Sequence, residues 1–211
     1  MISEYKTLRN NDVDEYIVNK SRFLCHASPV QTEEEALAFL QTIRKKHKDA
    51  THNCYAYVVG KNAGIMRYSD DGEPSGTAGI PMMEVIKAQN VVNCAVVITR
   101  YFGGILLGAG GLVRAYSHST SLALKKAQVV VMLPSERWIM DVPYPLWDKV
   151  NHTLKQLPVQ IEESEFATSV QTTLCIRQKD VTQVIDAITI VTNAKAEFLQ
   201  AEEYYAPWDA E

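Results

Sequence analysis

Apolar residues in the first third of the chain recur at spacings that predict strands and one well-capped helix. Strand-like runs occupy residues 15–18 and 21–25. A helix follows, because Thr32 and Glu35 form a capping box and Ala36, Leu37, Leu40 and Ile43 fall on one face. Two further runs, 53–59 and 65–68, are separated by a short loop with glycine at each end. They predict a β-hairpin.

The middle of the chain combines a turn-rich loop with a strand and a long helix. Residues 69–79 show no periodicity and are rich in turn formers, which indicates a loop. Pro81 suits the first position of a short helix. The apolar run 91–98 predicts a buried strand, and a helix should extend from Gly108 to about Lys126. We expect that helix to bury Leu112, Ala115, Tyr116, Ser119 and Leu122 or Ala123.

The last 84 residues show a different order of elements. The pattern predicts a strand at 128–133 with an extension to 142, a helix at 145–156, strands at 158–166 and 168–177, a helix at 180–191 and a strand at 195–204. Pro134 favours a break or bulge in the first of these strands. The order β-α-β-β-α-β is typical of a ferredoxin-like domain. We therefore predict an α+β protein with two domains, residues 1–127 and 128–211.

Charge supports this division. The net charge is -4, but residues 1–127 carry 15 basic and 12 acidic side chains (+3), whereas residues 128–211 carry 6 and 13 (-7). All three tryptophans lie in the second segment and four of the five histidines in the first. Such different compositions favour two domains over one.

Composition also narrows the class of protein. An apolar content of 46% and a charged content of 22% are ordinary for a soluble globular protein. No apolar run approaches the ~20 residues of a membrane helix, and we expect no secretory signal at the N-terminus. The four cysteines are scattered without a C-x-x-C pair, so we expect reduced thiols in a cytoplasmic protein.

The densest chemical signal is a glycine block at residues 100–114, which holds five of the ten glycines. A helix that begins among glycines presents free backbone N–H groups and can bind an anion. Arginine side chains can add hydrogen bonds to phosphate, and aromatic rings can stack on a base. The alternative is a tight strand-to-helix crossing that needs glycine for packing alone. The candidate ligand- or RNA-binding residues are Arg100, Tyr101, Phe102, Gly103, Gly104, Gly108, Gly110, Gly111, Arg114, His118 and Lys125.

A possible second site combines one histidine with an acidic loop. Its residues are His52, Asp70, Asp71, Glu73, Ser75 and Thr77. Carboxylates with a histidine can serve acid–base chemistry or hold a divalent cation. However, Asp-Gly is a common turn, and no metal-binding or nucleophile-elbow motif accompanies it. We assign no catalytic residue, no metal ligand and no cofactor from the sequence.

Three blocks of the chain resemble the signature blocks of the Impact family, including its bacterial branch. They are residues 50–57, 70–79 and 100–116, in the family's order. The resemblance implies that the first domain has the fold of the second domain of ribosomal protein S-five. It implies a ferredoxin-like second domain similar to the last domain of elongation factor G. It also implies a role in translation, with RNA or a ribosome-associated protein as the partner.

The leading hypothesis is a regulatory protein of translation, not an enzyme, that binds RNA or a ribosome-associated partner through the glycine block. A phosphate-bearing ligand suits the same surface, and no membrane is involved. One alternative is a hydrolase or transferase that acts on phosphoesters or nucleotides through His52 and Asp70, Asp71 or Glu73. Another is a protein–protein interaction module whose acidic second domain is the docking surface.

Overall fold

The computed structural model describes residues 4–209, which contain ten strands and five α-helices. Two compact units are present: the described residues up to Val131 together with Asp209, and Met132–Trp208. The strands are β1 (Tyr5–Leu8), β2 (Asp12–Val18), β3 (Ser21–Pro29), β4 (His52–Val59), β5 (Ile65–Ser69), β6 (Cys94–Tyr101), β7 (Val129–Pro143), β8 (Val159–Phe166), β9 (Ser169–Arg177) and β10 (Glu197–Asp209). The helices are α1 (Glu33–Lys46), α2 (Gly79–Ala88), α3 (Gly108–Lys126), α4 (Trp147–Leu154) and α5 (Val181–Thr192).

The first unit is a five-stranded sheet with helices on both faces. The strand order is β2-β3-β6-β4-β5, and each neighbouring pair is antiparallel. Successive side chains of β6 point to opposite faces. Val96 and Ile98 therefore join the core under α2 and α3, while Val97 packs with Leu40 and Ile43 of α1. Strand β6 is buried on both faces, as its continuous apolar run predicts.

Local signals in the first unit are confirmed, except that Leu37 of α1 is 42% exposed and does not belong to the buried face. Thr32 caps α1 by accepting a 3.2 Å hydrogen bond from the Glu35 N–H group. Strands β4 and β5 form the predicted antiparallel hairpin. Helix α3 spans Gly108–Lys126 and buries the predicted face except Leu122, whose place is taken by Ala123 and Leu124.

The start of α2 differs from the prediction. Pro81 is the third residue of α2, not the first, because the helix begins at Gly79. Its first N–H groups are satisfied from outside the helix. Asp70 Oδ1 accepts hydrogen bonds from the backbone N–H groups of Ala78 and Gly79, at 3.0 and 2.8 Å. A carboxylate from the preceding loop thus replaces the usual cap and moves the helix start two residues earlier.

In the sheet of the second unit, β10 pairs with β7, β7 with β9 and β9 with β8, and two helices accompany these strands. The elements follow the predicted order β-α-β-β-α-β, and a single 3-10 turn precedes each helix. Val150 and Leu154 of α4 and Val184 and Ile188 of α5 share one core with Met140 of β7. The hydrophobic stripes of the two helices therefore cover one face of this sheet.

The expected break at Pro134 is wrong, because β7 is continuous from Val129 to Pro143. The register explains why proline is tolerated. Pairing with β9 begins at Ser135, directly after the proline. Pro134 therefore does not have to donate a hydrogen bond to that neighbour.

Within residues 4–209, no helix combines the length and the apolar character that crossing a bilayer requires.

Candidate functional site

A cleft of about 350 Å³ opens where β4 begins and β6 ends, against the start of α3. The sheet register creates it, because His52 of β4 lies directly opposite Arg100 of β6. The loop between β5 and α2 contributes Glu73, and the segment after β6 contributes Phe102. Leucines 106, 107 and 112 form the apolar part of the wall. We call this space the α3 cleft.

Glu73 and Arg100 form a buried ion pair at the base of the α3 cleft. The Arg100 Nη1 group donates to Glu73 Oε1 at 2.7 Å, and side-chain exposure is 6% for Arg100 and 2% for Glu73. The Tyr116 hydroxyl donates to the same oxygen at 2.8 Å. Burial, with Cys54 and Glu73 nearby, raises the pKa of Tyr116 well above its usual range, so the hydroxyl keeps its proton.

The Arg100 guanidinium lies between two aromatic rings. Its central carbon is 5.4 Å from the centroid of Phe23 and 5.5 Å from that of Phe102. Nη2 is 3.4 Å from the Ser21 hydroxyl. Among the described residues, nothing accepts a hydrogen bond from the buried Nε group. Arg100 is therefore fixed by its contacts, but its Nε–H group has no hydrogen-bond acceptor among the described residues.

His52 is oriented by a backbone carbonyl. Its Nδ1 atom lies 2.9 Å from the Asp71 carbonyl oxygen. A carbonyl oxygen only accepts hydrogen bonds, so the ring hydrogen of this contact lies on Nδ1. Nε2 is left to contact another group. Nε2 lies 3.7 Å from Glu73 Oε2, too far for a hydrogen bond. Glu73 Oε2 and His52 Nε2 thus lie near each other without a direct hydrogen bond.

The other members of the acidic-loop cluster have structural contacts. Asp70 accepts from Gly76, Ala78 and Gly79; burial opposes ionisation, but these donors hold the pKa of Asp70 below its ordinary value. Asp71 accepts 2.7 Å bonds from the backbone N–H of Asn53 and from Arg44.

Ser75 is exposed, and buried Thr77 donates to the Pro74 carbonyl at 2.7 Å. Of the six predicted residues in this cluster, His52 and Glu73 border the α3 cleft. Among the described residues there is no group of three His, Cys, Asp or Glu side chains that could hold a metal ion.

The glycines of the glycine block have different roles. A Cβ atom on Gly103 would lie 2.0 Å from the Lys20 carbonyl carbon, so this glycine permits close backbone packing. Gly108 begins α3 at φ +67° and lines the cleft. Gly104 is exposed, and Gly110 and Gly111 lie in the first turn of α3. No side chain caps this helix and its first turn contains no acidic residue, which leaves N–H groups open to a ligand.

The remaining candidate residues do not meet at one point. The Tyr101 side chain lies near α1, where its hydroxyl is 3.0 Å from His47 Nδ1. Arg114 is exposed one turn into α3, and the His118 ring packs on Tyr16 at 4.6 Å. Lys125 lies in the last turn of α3, about 25 Å along the axis from Gly108. The cleft therefore includes Arg100, Phe102 and Gly108, whereas Arg114 is not among its lining residues and Lys125 is distant.

Several residues of this region were not predicted as site residues. The sequence predicts Tyr116 only on the buried face of α3, yet its hydroxyl donates to Glu73 and lies 3.3 Å from the Cys54 sulfur. A tyrosine in a buried helix face was the available signal, since its hydroxyl needs a partner. Ser21 and Thr51, which accept bonds from the backbone N–H groups of Gly103 and Phe102, gave no comparable signal.

Sequence and structure comparisons agree with this architecture. The model of the Impact N-terminal domain matches residues 19–124. A second model, a domain of unknown function (DUF1949), matches residues 140–195. A crystal structure titled as that of a hypothetical protein superimposes with a TM-score of 0.60 and 28% identity, covering 96% of this chain and 99% of that one.

Named relatives extend over most of the chain. IMPACT family member YvyE of Bacillus subtilis is 40% identical over 210 residues, 97% of this chain and 94% of the relative. IMPACT family member YigZ of Escherichia coli is 31% identical over 188 residues, 88% and 92% of the two chains. Human protein IMPACT matches over 94 residues at 36% identity, 42% of this chain and 29% of that protein. With both units matched and these bacterial relatives aligned along nearly its full length, the chain belongs to the IMPACT family and resembles its YvyE and YigZ members.

Proposed function

We propose that this protein is a translation-related regulatory protein whose first unit binds single-stranded RNA at the α3 cleft and along the start of α3. The observation that carries the proposal is the uncapped, glycine-rich start of α3 beside an exposed aromatic ring. Phe102 is 45% exposed, and Arg114 projects from the next turn. The chain belongs to a family whose members resemble proteins of translational control, and this supports a function related to translation.

The chemistry of this surface suits a phosphate chain. Free N–H groups and the positive end of the helix dipole attract anions. Residues 101–127 contain three basic side chains and no acidic one. An aromatic ring at the edge of the cleft offers a face on which any base can stack. The positive charge lies in the same segment as the ligand-facing backbone, whereas residues 128–211 carry a net charge of -7.

Arg100 is not the residue with which to test the proposal. It is buried against Glu73, so its removal would leave an unpaired buried carboxylate and disturb the fold. Arg114 is exposed and forms no ion pair with a described residue. Its replacement changes the charge of the surface without opening the core.

The test is fluorescence anisotropy of the full chain with a labelled single-stranded RNA, titrated at several salt concentrations. We expect affinity to fall as salt rises, with a log–log slope of about 0.7 per phosphate contact. Arg114→Ala should weaken binding and reduce that slope by about one contact. Lys45→Ala removes the same charge from exposed α1, on the opposite face of the sheet, and should leave binding unchanged. No binding at low salt, or equal losses in the two variants, would contradict the proposal and favour a protein partner.

The proposal extends to fold relationships and location. The strand order β10-β7-β9-β8, with both helices in one core, supports a ferredoxin-like second unit. For the first unit we propose the fold of the second domain of ribosomal protein S-five. Four buried, unpaired cysteines support a reducing, cytoplasmic location.

A further inference from the structure

The α3 cleft contains two hydrogen-bond acceptors that no described residue satisfies. Glu73 Oε1 accepts from Arg100 and Tyr116, but no donor among residues 4–209 bonds Oε2. Because the Nδ1 hydrogen of His52 faces the Asp71 carbonyl, Nε2 is the ring nitrogen that can accept a hydrogen bond. These two atoms are 3.7 Å apart and their side chains border the same cleft. The Glu73 side chain is only 2% exposed and that of His52 only 18%, so a ligand in the cleft can supply donors to these two atoms.

The part of the cleft lined by the start of α3 presents hydrogen-bond donors that suit an anion. The N–H groups at the start of α3 have no capping side chain, and Gly108 and Ala109 line the cleft. The Nε group of Arg100, a residue that is 5% exposed and also lines the cleft, has no acceptor among the described residues. Donors from the start of α3 and from Arg100, together with the acceptors of Glu73 and His52, favour a ligand with two different polar groups.

The remaining wall is apolar and partly aromatic. Phe102 covers the Arg100 guanidinium and remains 45% exposed, while leucines 106, 107 and 112 enclose the space. The volume of about 350 Å³ lies at the lower end of the range for small-molecule sites, about 300–1,000 Å³. A ligand that complements this lining has a flat apolar portion, an anionic group and neighbouring hydroxyl groups.

We infer that the α3 cleft binds one ribonucleoside 5′-monophosphate unit with a free ribose diol. The two vicinal hydroxyl groups donate to Glu73 Oε2 and His52 Nε2. The phosphate lies at the N-terminus of α3, and the base contacts Phe102. This inference rests on the proposed function in using the same cleft, but it names the group that the cleft recognises. The unit is either a free nucleotide or the 3′ end of an RNA strand.

The test is isothermal titration calorimetry of the full chain with adenosine 5′-monophosphate. We expect binding, and at least tenfold weaker binding of the 2′,3′-dideoxy analogue, because hydrogen bonds to a charged acceptor are strong. Adenosine without phosphate should also bind at least tenfold more weakly. Equal affinity for the diol and dideoxy compounds, or no heat of binding at millimolar nucleotide, would overturn the inference. These ligand changes need no mutation and so do not depend on a variant that folds.

A variant pair supports the assignment of the acceptors. His52→Gln should reduce the preference for the diol over the dideoxy nucleotide, while His152→Gln, an exposed histidine of α4, should not. An unchanged preference in His52→Gln would contradict the proposed role of this side chain.

Competition with RNA separates the two sources. One competitor is a short RNA with a free 3′ diol, and its control is the same RNA phosphorylated at the 3′ end. If only the first RNA displaces the nucleotide, the site binds strand ends. Failure of both RNAs assigns it to free nucleotides, and both results support the inference. If the protein binds RNA in the anisotropy test but shows no preference for the diol nucleotide, this inference is wrong and the proposed RNA binding stands. If the protein binds the nucleotide through its diol but does not bind RNA, the proposed RNA binding is wrong and this inference stands.

Discussion

The Glu73 carboxylate accepts a 2.7 Å hydrogen bond from the Arg100 guanidinium, and both side chains are nearly inaccessible to solvent. The pair fixes the geometry of the α3 cleft, because one Glu73 oxygen is occupied and the other faces His52. The formal charges of the pair cancel. A buried pair of this kind contributes little net stability relative to apolar residues, but removal of one partner leaves the other charge without compensation.

Glu73→Gln should therefore destabilise the first unit by about 3 kcal/mol. Glutamine preserves shape and one acceptor but removes the negative charge opposite Arg100. Urea unfolding followed by far-ultraviolet circular dichroism measures the loss. Tryptophan fluorescence follows the second unit separately, because all three tryptophans lie at or after residue 138.

Two comparisons sharpen this prediction. Glu84→Gln removes a carboxylate from the solvent-exposed pair with Lys87, and its effect should stay within about 0.5 kcal/mol. Glu73→Gln combined with Arg100→Met should be less destabilised than Glu73→Gln alone, because the unpaired charge is gone. If the double variant is the less stable of the two, an unpaired charge is not the cause of the loss.

The contrast between α1 and the Glu73–Arg100 pair shows which features the sequence predicts. The α1 helix, the hairpin and the extent of α3 follow from periodicity and caps within a few neighbouring residues. Glu73 and Arg100 are 27 residues apart and meet only through the fold, so the sequence alone predicts Arg100 as a phosphate-binding side chain and does not reveal its ion pair. Arg100 and Tyr101 are adjacent in β6, so their side chains lie on opposite faces of the sheet and do not form the single surface that the sequence predicts.

Gly103→Ala should destabilise the first unit by about 3 kcal/mol or more. The added Cβ atom would lie 2.0 Å from the Lys20 carbonyl carbon and 2.3 Å from the Ser21 nitrogen, and backbone atoms cannot move aside cheaply. Thermal unfolding at fixed protein concentration measures the effect.

Two other glycines of the same block serve as matched controls. Gly110→Ala should be neutral or raise stability by up to about 1 kcal/mol, since it lies in α3 with its nearest contact 3.6 Å away. Gly104→Ala should cost about 1 kcal/mol, because the site is open but its φ is +82°. Equal destabilisation by the three substitutions would show that close backbone packing at Gly103 is not the cause of its loss of stability.

The four cysteines should be unreactive in the native protein. All are buried, and burial raises the pKa of Cys25 to about 11 and that of Cys94 to about 12. Burial also raises the pKa of Cys54 and Cys175. Since the thiolate is the reactive form, a chromogenic disulfide reagent at pH 8 should modify no thiol rapidly, and four after denaturation.

A positive control places a thiol at an exposed site. Ser75→Cys should give one rapidly reacting thiol in the native protein, since Ser75 is exposed in the loop before α2. Rapid native labelling of the unsubstituted chain would contradict the burial of its thiols.

His26 and His47 form a buried pair between β3 and α1. Their ring centroids are 5.2 Å apart, and no described residue bonds either Nε2 atom. Burial is the main cause that lowers the pKa of His26 to about 4, with further contributions from His47 and Lys46. The pKa of His47 is also lowered, by burial and Lys46, against an opposing effect of Asp49.

Stability of the first unit should therefore fall as the pH drops from about 6.5 to about 4. In this window unfolded His26 binds a proton and folded His26 does not, so acid favours unfolding; above pH 6.5 both states are neutral and the contribution is constant. His26→Gln should flatten the dependence of the urea midpoint on pH across this window, whereas His152→Gln, at an exposed position of α4, should leave it unchanged. A slope that persists in His26→Gln would assign the acid sensitivity to His47 or to the carboxylates instead, because removing His26 eliminates its proton uptake on unfolding.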